Sequence, residues 1–376
     1  MTESAPKTKR LLALDIFRGM TIFFMVIVNT PGSWSYVYAP LKHAAWDGLT
    51  PTDLVFPFFV FIVGVAMSFS FRRYNESPDK AAWYGKVLLR TTSIFLVGLL
   101  LNWFPFFDKS IEDLRSIEDL RIFGVLQRIA LAYGLAAVIV MNCPRSRIPY
   151  VFGPILGGYF ALLLIFGGEA PLSLEGNAVR RLDLWLLGEK HLYSGYGIAF
   201  DPEGLLSTLP TAGTVLFGYW IGLVIQAHDS VGEKIQSLFP YGLVATLTGV
   251  ALHFLGCPIN KPIWSSSYVL VAGGLATLLL IGLLVILDLK HWRAWSWMFE
   301  AFGKNPLASF IASSVTVKLL ALVKIGDQGI YSWTYANFFQ STFGNYAGSL
   351  LQAIAFAMLI WFFAWILHLK NIVIKL

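Results

Sequence analysis

The chain carries a succession of apolar runs, each about as long as a bilayer is thick, and this repetition restricts its fold more than any other feature. A hydrocarbon core of about 30 Å takes about 20 residues of α-helix to cross. Runs of that kind occupy residues 11–30, 53–71, 85–104, 122–142, 148–168, 204–226, 237–256, 266–288, 303–324 and 348–368. Charged residues make up 13 % of the chain and apolar residues 56 %, against about 25 % and 45–50 % in soluble domains. A single soluble core cannot hide that much apolar surface in a chain of this size. The expected fold is all-α: a polytopic integral membrane helix bundle of about ten transmembrane helices, forming one domain over 1–376. The run at 303–324 is the least regular, because Lys318 lies inside it.

Basic residues near the ends of the runs set the expected orientation. Lys7, Lys9, Arg10, Arg72, Arg73, Lys80, Lys86, Arg90, Arg145, Arg147, Lys234, Lys290, Arg293, Lys304, Lys370 and Lys375 fall on one side, sixteen of the 28 Lys and Arg. That bias puts both termini in the cytoplasm, with 1–10 as a cytoplasmic tail. The basic start leads into a long apolar run with no small-x-small cleavage site, which reads as an uncleaved first helix. The net charge of +6 is not gathered into basic runs, so nucleic acid is not an expected partner. Segments 105–121 and 169–203 are the longest pieces outside the runs. The first repeats SIEDLR over 110–115 and 116–121, and a period of six fits neither helix nor heptad, so it reads as a solvated loop. Cys143 and Cys257 are expected at opposite faces of the bilayer and therefore unpaired. No two histidines have metal-ligand spacing, so no metal is expected.

Polar residues inside apolar helices demand an explanation, because a charge in the bilayer must be paired or line a cavity. Asp15 and Arg18 stand three apart, on one helix face near the inner surface. They form either a structural pair or part of a pocket wall. Arg121 and Arg128 are seven apart and are expected on one face of the fourth helix, where they need a protein carboxylate or an anionic ligand. Asn29 closes the first run, and His43 follows a loop rich in Pro, Gly, Trp and Tyr. Trp46, Asp47 and Asp53 come next, at the start of the second helix. An imidazole exchanges protons near neutral pH, a nearby carboxylate fixes its tautomer, and an Asn amide can hold an oxygen that gains negative charge. These are the parts for acyl transfer to an amine. The plainer reading is a surface histidine, with Asp53 complementing a helix dipole. Further along, FDPEG (200–204) and NKPIWSSSY (260–268) combine carboxylates, hydroxyls and aromatic rings, a set suited to a sugar. Asp201-Pro202-Glu203 also reads as a helix N-cap with proline at the first helical position.

Seven of these motifs, in order, resemble one family. LDIFRGMTIFFMVIVN, HAAWDGLT, DLVFP, GVLQR, LLGEKHLY, AFDPEG and NKPIWSSSY look like heparan-α-glucosaminide N-acetyltransferase and its bacterial relatives, most of all the NagX-type membrane proteins of amino-sugar utilisation. The similarity runs from about 11 to 305. It implies an enzyme that takes acetyl-CoA from the cytosol and acetylates a glucosamine amine on the far side of a bacterial inner membrane. It also implies a homodimer, with His43 as the catalytic residue and Asn29 assisting. Asp53 or Asp47 is the candidate that orients His43. Trp46, Asp47, Asp201, Glu203, Asn260, Trp264 and Tyr268 are the candidates for the acceptor sugar. Asp15, Arg18, Arg121, Gln127, Arg128 and Asn305 are those for acetyl-CoA. Asp47 stands where the lysosomal enzyme's motif has Asn, and Ser313-Ser314 where it has His-Glu. These departures bear on the acceptor more than on the reaction. The rival reading is an amino-sugar transporter without acyl transfer, which fits the midplane polar groups but lacks the internal repeat many transporters show. A purely structural membrane protein would leave the buried charges unexplained.

Overall fold

The computed structural model describes residues 11–72, 74, 79–107 and 114–374. The cytoplasmic-tail expectation for 1–10, and most of the first SIEDLR copy, lie outside these residues. Helices dominate: α1 (Leu12–Asn29), α2 (Pro51–Ser70), α3 (Lys80–Trp103), α4 (Val125–Asn142), α5 (Ile148–Phe166), α6 (Ala178–Leu187), α7 (Thr208–Gln226), α8 (Val231–Phe254), α9 (Ser266–Leu283), α10 (Trp297–Lys304), α11 (Pro306–Leu322) and α12 (Asn345–Leu369). A two-stranded hairpin, β1 (Lys324–Ile325) and β2 (Gln328–Gly329), and a helical stretch over 330–343 separate α11 from α12. Among the described residues nine helices are long and apolar enough to cross a membrane, or ten if one bent pair counts as a span. The all-α membrane bundle is thus borne out. Cys143 and Cys257 are both free thiols.

The helices differ in how much they bury. α1, α2, α4, α7 and α9 are mostly enclosed, whereas α3, α5 and α8 present most of their surface outward. Lipid gives no hydrophobic reason for helices to associate, so close backbone approach at small residues takes over. α2 meets α7 through Gly64, where a Cβ would lie 1.9 Å from Val215 O, and through Gly218, where it would lie 2.1 Å from Phe61 O. α1 meets α10 in the same way at Gly19 and Gly303.

Three expectations are corrected. The run at 303–324 is not one straight span: α10 and α11 meet at an 88° bend. Asn305 sits at the break, fully buried. Its amide donates to Ile372 O (2.9 Å) and accepts from Ile374 N (2.9 Å), tying the break to the chain that follows α12. Arg121 is not in the fourth helix. Residues 121–124 run extended, pinned by Asn102 Nδ2 donating to the carbonyls of Arg121 and Phe123 (2.9 and 3.1 Å) and by Ile122 N donating to His191 O; α4 starts only after Gly124. Arg121 and Arg128 therefore share no helical face. Lastly, Asp201 caps no helix. Its Oδ1 accepts from Glu203 N (3.0 Å) in a turn, and α7 begins at Thr208. The 169–203 segment also contains α6, capped by Asn177 on Arg180 N (2.8 Å).

Candidate active site

The start of α2 builds the site. Thr50 precedes Pro51, whose fixed φ suits the first helical position. Thr50 and Asp53 then form a reciprocal capping box, which satisfies amides that a helix start leaves bare. Asp53 does more than cap. Its Oδ2 accepts from Ala44 N (3.0 Å), Thr50 N (3.1 Å) and Thr50 Oγ1 (2.9 Å), while its Oδ1 lies 2.6 Å from His43 Nδ1. Tyr268 donates its hydroxyl to the Asp53 carbonyl at 2.6 Å. The carboxylate is buried and the imidazole about half exposed, with side-chain accessibilities of 1 % and 48 %. With Nδ1 engaged by a carboxylate, Nε2 is the nitrogen left to face outward, and it can accept a proton or an acyl group.

A turn distant in sequence closes over this pair. Lys261 Nζ lies 3.1 Å from His43 Nδ1 and 3.5 Å from Asp53 Oδ1. The turn is fixed by Gly48 N donating to Ile259 O (2.8 Å), Asn260 Nδ2 donating to Asp47 Oδ1 (3.1 Å) and Ile263 N donating to Asn260 Oδ1 (2.9 Å). Lys261 is the residue that sequence reasoning missed. It stands in the quoted NKPIW motif, but nothing local marks a loop lysine as the neighbour of a histidine 218 positions away. Burial pushes its ammonium down from the usual lysine range, and Asp53 and Glu203 pull the other way.

Arg121 forms the second wall. It grips Asp201 with two bonds of 2.8 Å and Glu203 with one of 2.7 Å, and its guanidinium lies 4.7 Å from the Tyr193 ring. Burial works against the charge on Arg121, but the two carboxylates more than offset it and raise its pKa. Arg128 is fully buried and has hydroxyl and carbonyl partners: Thr211 Oγ1, Ser207 Oγ, Pro202 O and Gly204 O, at 2.6–3.1 Å. It knits the 201–207 turn to α4 and α7. Trp264, also buried, donates to Thr214 Oγ1 (3.1 Å) and lies 5.3 Å from the Arg128 guanidinium.

The structure does not gather all the candidates. Asn29 ends α1 at the same end of the bundle, but its side chain is exposed and no hydrogen bond joins it to His43 among the described residues. Asp47 turns to Asn260, leaving Asp53 as the carboxylate on His43. Trp46 donates to Leu172 O (2.9 Å) and packs edge-on against Phe200 and Tyr196. Asn260, Trp264, Tyr268 and Asp201 are fully buried behind the mouth. His191 bonds to Leu120 O (2.7 Å), away from His43.

Two cavities lie deeper, on successive turns of the same helices. One, of about 250 Å³, sits in the half of the bundle away from His43, between Arg18 of α1, the second half of α2, Arg90 and Ile94 of α3, Ile129 and Tyr133 of α4, and the start of α11. Asp15 lies 3.7 Å from Arg18, the expected i, i+3 pair. The other, of about 180 Å³, lies between Gly98 and Asn102 of α3, Gln127 of α4, Ser314 and Lys318 of α11, and Arg121. Gln127 Nε2 is buried there without a hydrogen-bond partner among the described residues.

Known proteins fit this arrangement. The family model described as "Heparan-alpha-glucosaminide N-acetyltransferase, catalytic" matches residues 10–257. Proteins named heparan-alpha-glucosaminide N-acetyltransferase from Homo sapiens and Mus musculus are each 27 % identical over 362 residues, covering 81 % of this chain and 53 % of theirs. The chain thus spans about half the length of these relatives. The matched region contains His43, Asp53, Arg121, Arg128 and both cavity walls contributed by α3 and α4, and by that match the chain belongs to the heparan-alpha-glucosaminide N-acetyltransferase family.

Proposed function

We propose that this chain is a transmembrane N-acetyltransferase that moves an acetyl group from cytosolic acetyl-CoA to the amine of a glucosamine-type sugar on the opposite, periplasmic side. One observation carries the reading: a half-exposed imidazole, oriented by a buried carboxylate, stands at one end of a bundle that also holds a cavity bordered by arginines in its other half. Acetyl-CoA fits the deeper cavity chemically. Arg18 and Arg90 offer cations for its phosphates, and the apolar remainder suits a pantetheine arm. Gln127, whose buried amide nitrogen has no partner among the described residues, offers a donor along the arm's course.

In the reaction the sugar amine attacks the thioester carbonyl. A C–N bond forms and the C–S bond breaks; the amine gives up a proton and the CoA sulfur leaves as a thiolate. His43 Nε2 serves either by taking that proton in the direct attack, or by attacking the thioester first, releasing the CoA thiolate, and then passing the acetyl to the amine as the acetyl–imidazole bond breaks. Asp53 holds the ring and faces the charge it gains. Asn29, from the same end of α1, is the candidate amide for the carbonyl oxygen. Glu203, Asp47 and Trp46 are the groups placed to meet an acceptor. Arg121 and Arg128 buttress the turn that carries Glu203. A homodimer in a bacterial inner membrane, with both termini cytoplasmic, completes the reading.

The test is acetylation by membranes given acetyl-CoA and glucosamine, read as CoA release and as N-acetylated product by mass spectrometry. His43→Ala lowers the rate by at least about 100-fold while the protein still purifies as the parent does. Undiminished acetylation by a folded variant removes the mechanism. Sugar uptake into vesicles lacking acetyl-CoA favours the transporter.

A further inference from the structure

The contacts around His43 leave one charge without a role in that scheme. Asp53 Oδ1 is shared by His43 Nδ1 and Lys261 Nζ, while Oδ2 is already filled by three donors. Lys261 reaches the pair from a turn sewn to the His43 loop at Gly48 and Asp47. Its side chain is only 19 % exposed, so it is no loose surface lysine. We propose that Lys261 is a positioning residue for the His43–Asp53 pair: its ammonium takes part of the Asp53 charge beside the ring and sets the pH range over which Nε2 works. The proposal rests on the acetyltransferase reading of the same site.

The physical argument is electrostatic. A buried carboxylate facing an imidazole favours a positive ring, and a cation a few ångströms from both opposes it. The charged and titratable groups around the ring and its carboxylate come from six places: Asp53 on α2, Lys42 and Asp47 on the ring's own loop, Lys261 on the 258–265 turn, Glu203 on the 201–207 turn, Tyr196 on the loop after α6, and Tyr268 on α9. Glu203 is held by Arg121 and Asp47 by Asn260, and Lys42 is exposed. Lys261 is the cation that touches the pair directly. Burial presses it toward the neutral form against the pull of Asp53 and Glu203, so its charge depends on those carboxylates remaining in place.

The experiment is a rate–pH profile for the full-length protein in membranes, comparing parent, Lys261→Met, Lys261→Gln and Lys261→Arg, with His43→Ala as the reference for acetylation that bypasses the site. Removal of the charge lowers kcat by about tenfold, leaves KM for acetyl-CoA within about twofold, and moves the acid side of the profile up by roughly one pH unit. Lys261→Arg keeps the profile of the parent. If Lys261→Met does not fold, Lys261→Gln, which retains a donor, is read instead. A lower rate with an unmoved profile in the charge-removing variants makes Lys261 merely structural and overturns the proposal, as does a profile that Arg fails to restore. Full activity in His43→Ala instead overturns the acetyltransferase reading, whatever Lys261 does.

Discussion

The mouth at His43 and the deeper cavity at Arg18 and Arg90 solve opposite problems with similar residues. At the mouth the buried charges have protein partners. Asp53 takes five contacts, and Arg121 uses both edges of its guanidinium on Asp201 and Glu203. In the deeper half, arginines border about 250 Å³ of space lined mainly by apolar side chains. A fully paired cluster is already organised, which is what a catalytic group needs, since reorganisation during a reaction costs rate. A cavity with cations at its edge suits a large anionic donor, and here Arg18 is steadied by Asp15 (3.7 Å) and by Gly303 O (3.1 Å) while Arg90 lies over the Tyr133 ring. Under the proposed function, the division would assign turnover to the mouth and affinity to the cavity.

That division can be broken by substitution. Asp53→Asn keeps an acceptor for Ala44 and Thr50 but removes the charge facing His43. Its kcat is expected to fall by about 100-fold or more, with KM for acetyl-CoA little changed; a rise in KM alone would erase the distinction. Ala66→Phe, projecting into the deeper cavity, is expected to do the converse. KM for acetyl-CoA rises by about tenfold, or about 1.4 kcal/mol of binding, with kcat within about threefold. A collapse of kcat at constant KM would show that the cavity is not the donor's seat.

A last prediction concerns stability and not turnover, and tests the scaffold behind the mouth. Asp183 on α6 is fully buried beneath the 201–207 turn, with Oδ1 accepting from Leu205 N (3.0 Å) and Oδ2 without a partner among the described residues. Burial pushes its carboxyl up to about 7, with the Leu205 bond opposing and Asp201 adding to the shift. Between the ordinary carboxylate range and about 7 the folded protein therefore holds a proton that the unfolded chain has lost. Stability falls as pH rises through that window, by up to about 4 kcal/mol. Asp183→Asn should flatten thermal stability between pH 5 and 8 in detergent. An equal pH dependence in parent and variant would place the proton elsewhere.

Much of the bundle was legible because hydropathy is local and cumulative. Nine of the ten apolar runs became single long helices, with ends moved by a few residues. The tenth failed where one buried asparagine stabilised a break by capturing the backbone near the C-terminus, a contact 67 residues away. The site was legible in part for the same reason. His43 and Asp53 are ten residues apart on a single loop-to-helix turn, so their pairing could be anticipated from sequence. Arg121 could not be placed, because a helical period was assumed across Gly124 where the chain is extended.

The sequence by itself determined that this is a membrane-spanning helical bundle and that a histidine and a carboxylate stand at the start of its second helix. Apolar length and local spacing are properties of short segments. Only the tertiary structure decided which partners reach that histidine: Lys261 from 218 residues away, with Asp201 and Glu203 claimed by Arg121 across 80 and 82. Such pairings depend on how helices cross, and the crossings are set by glycine contacts and by a bend that no single segment encodes.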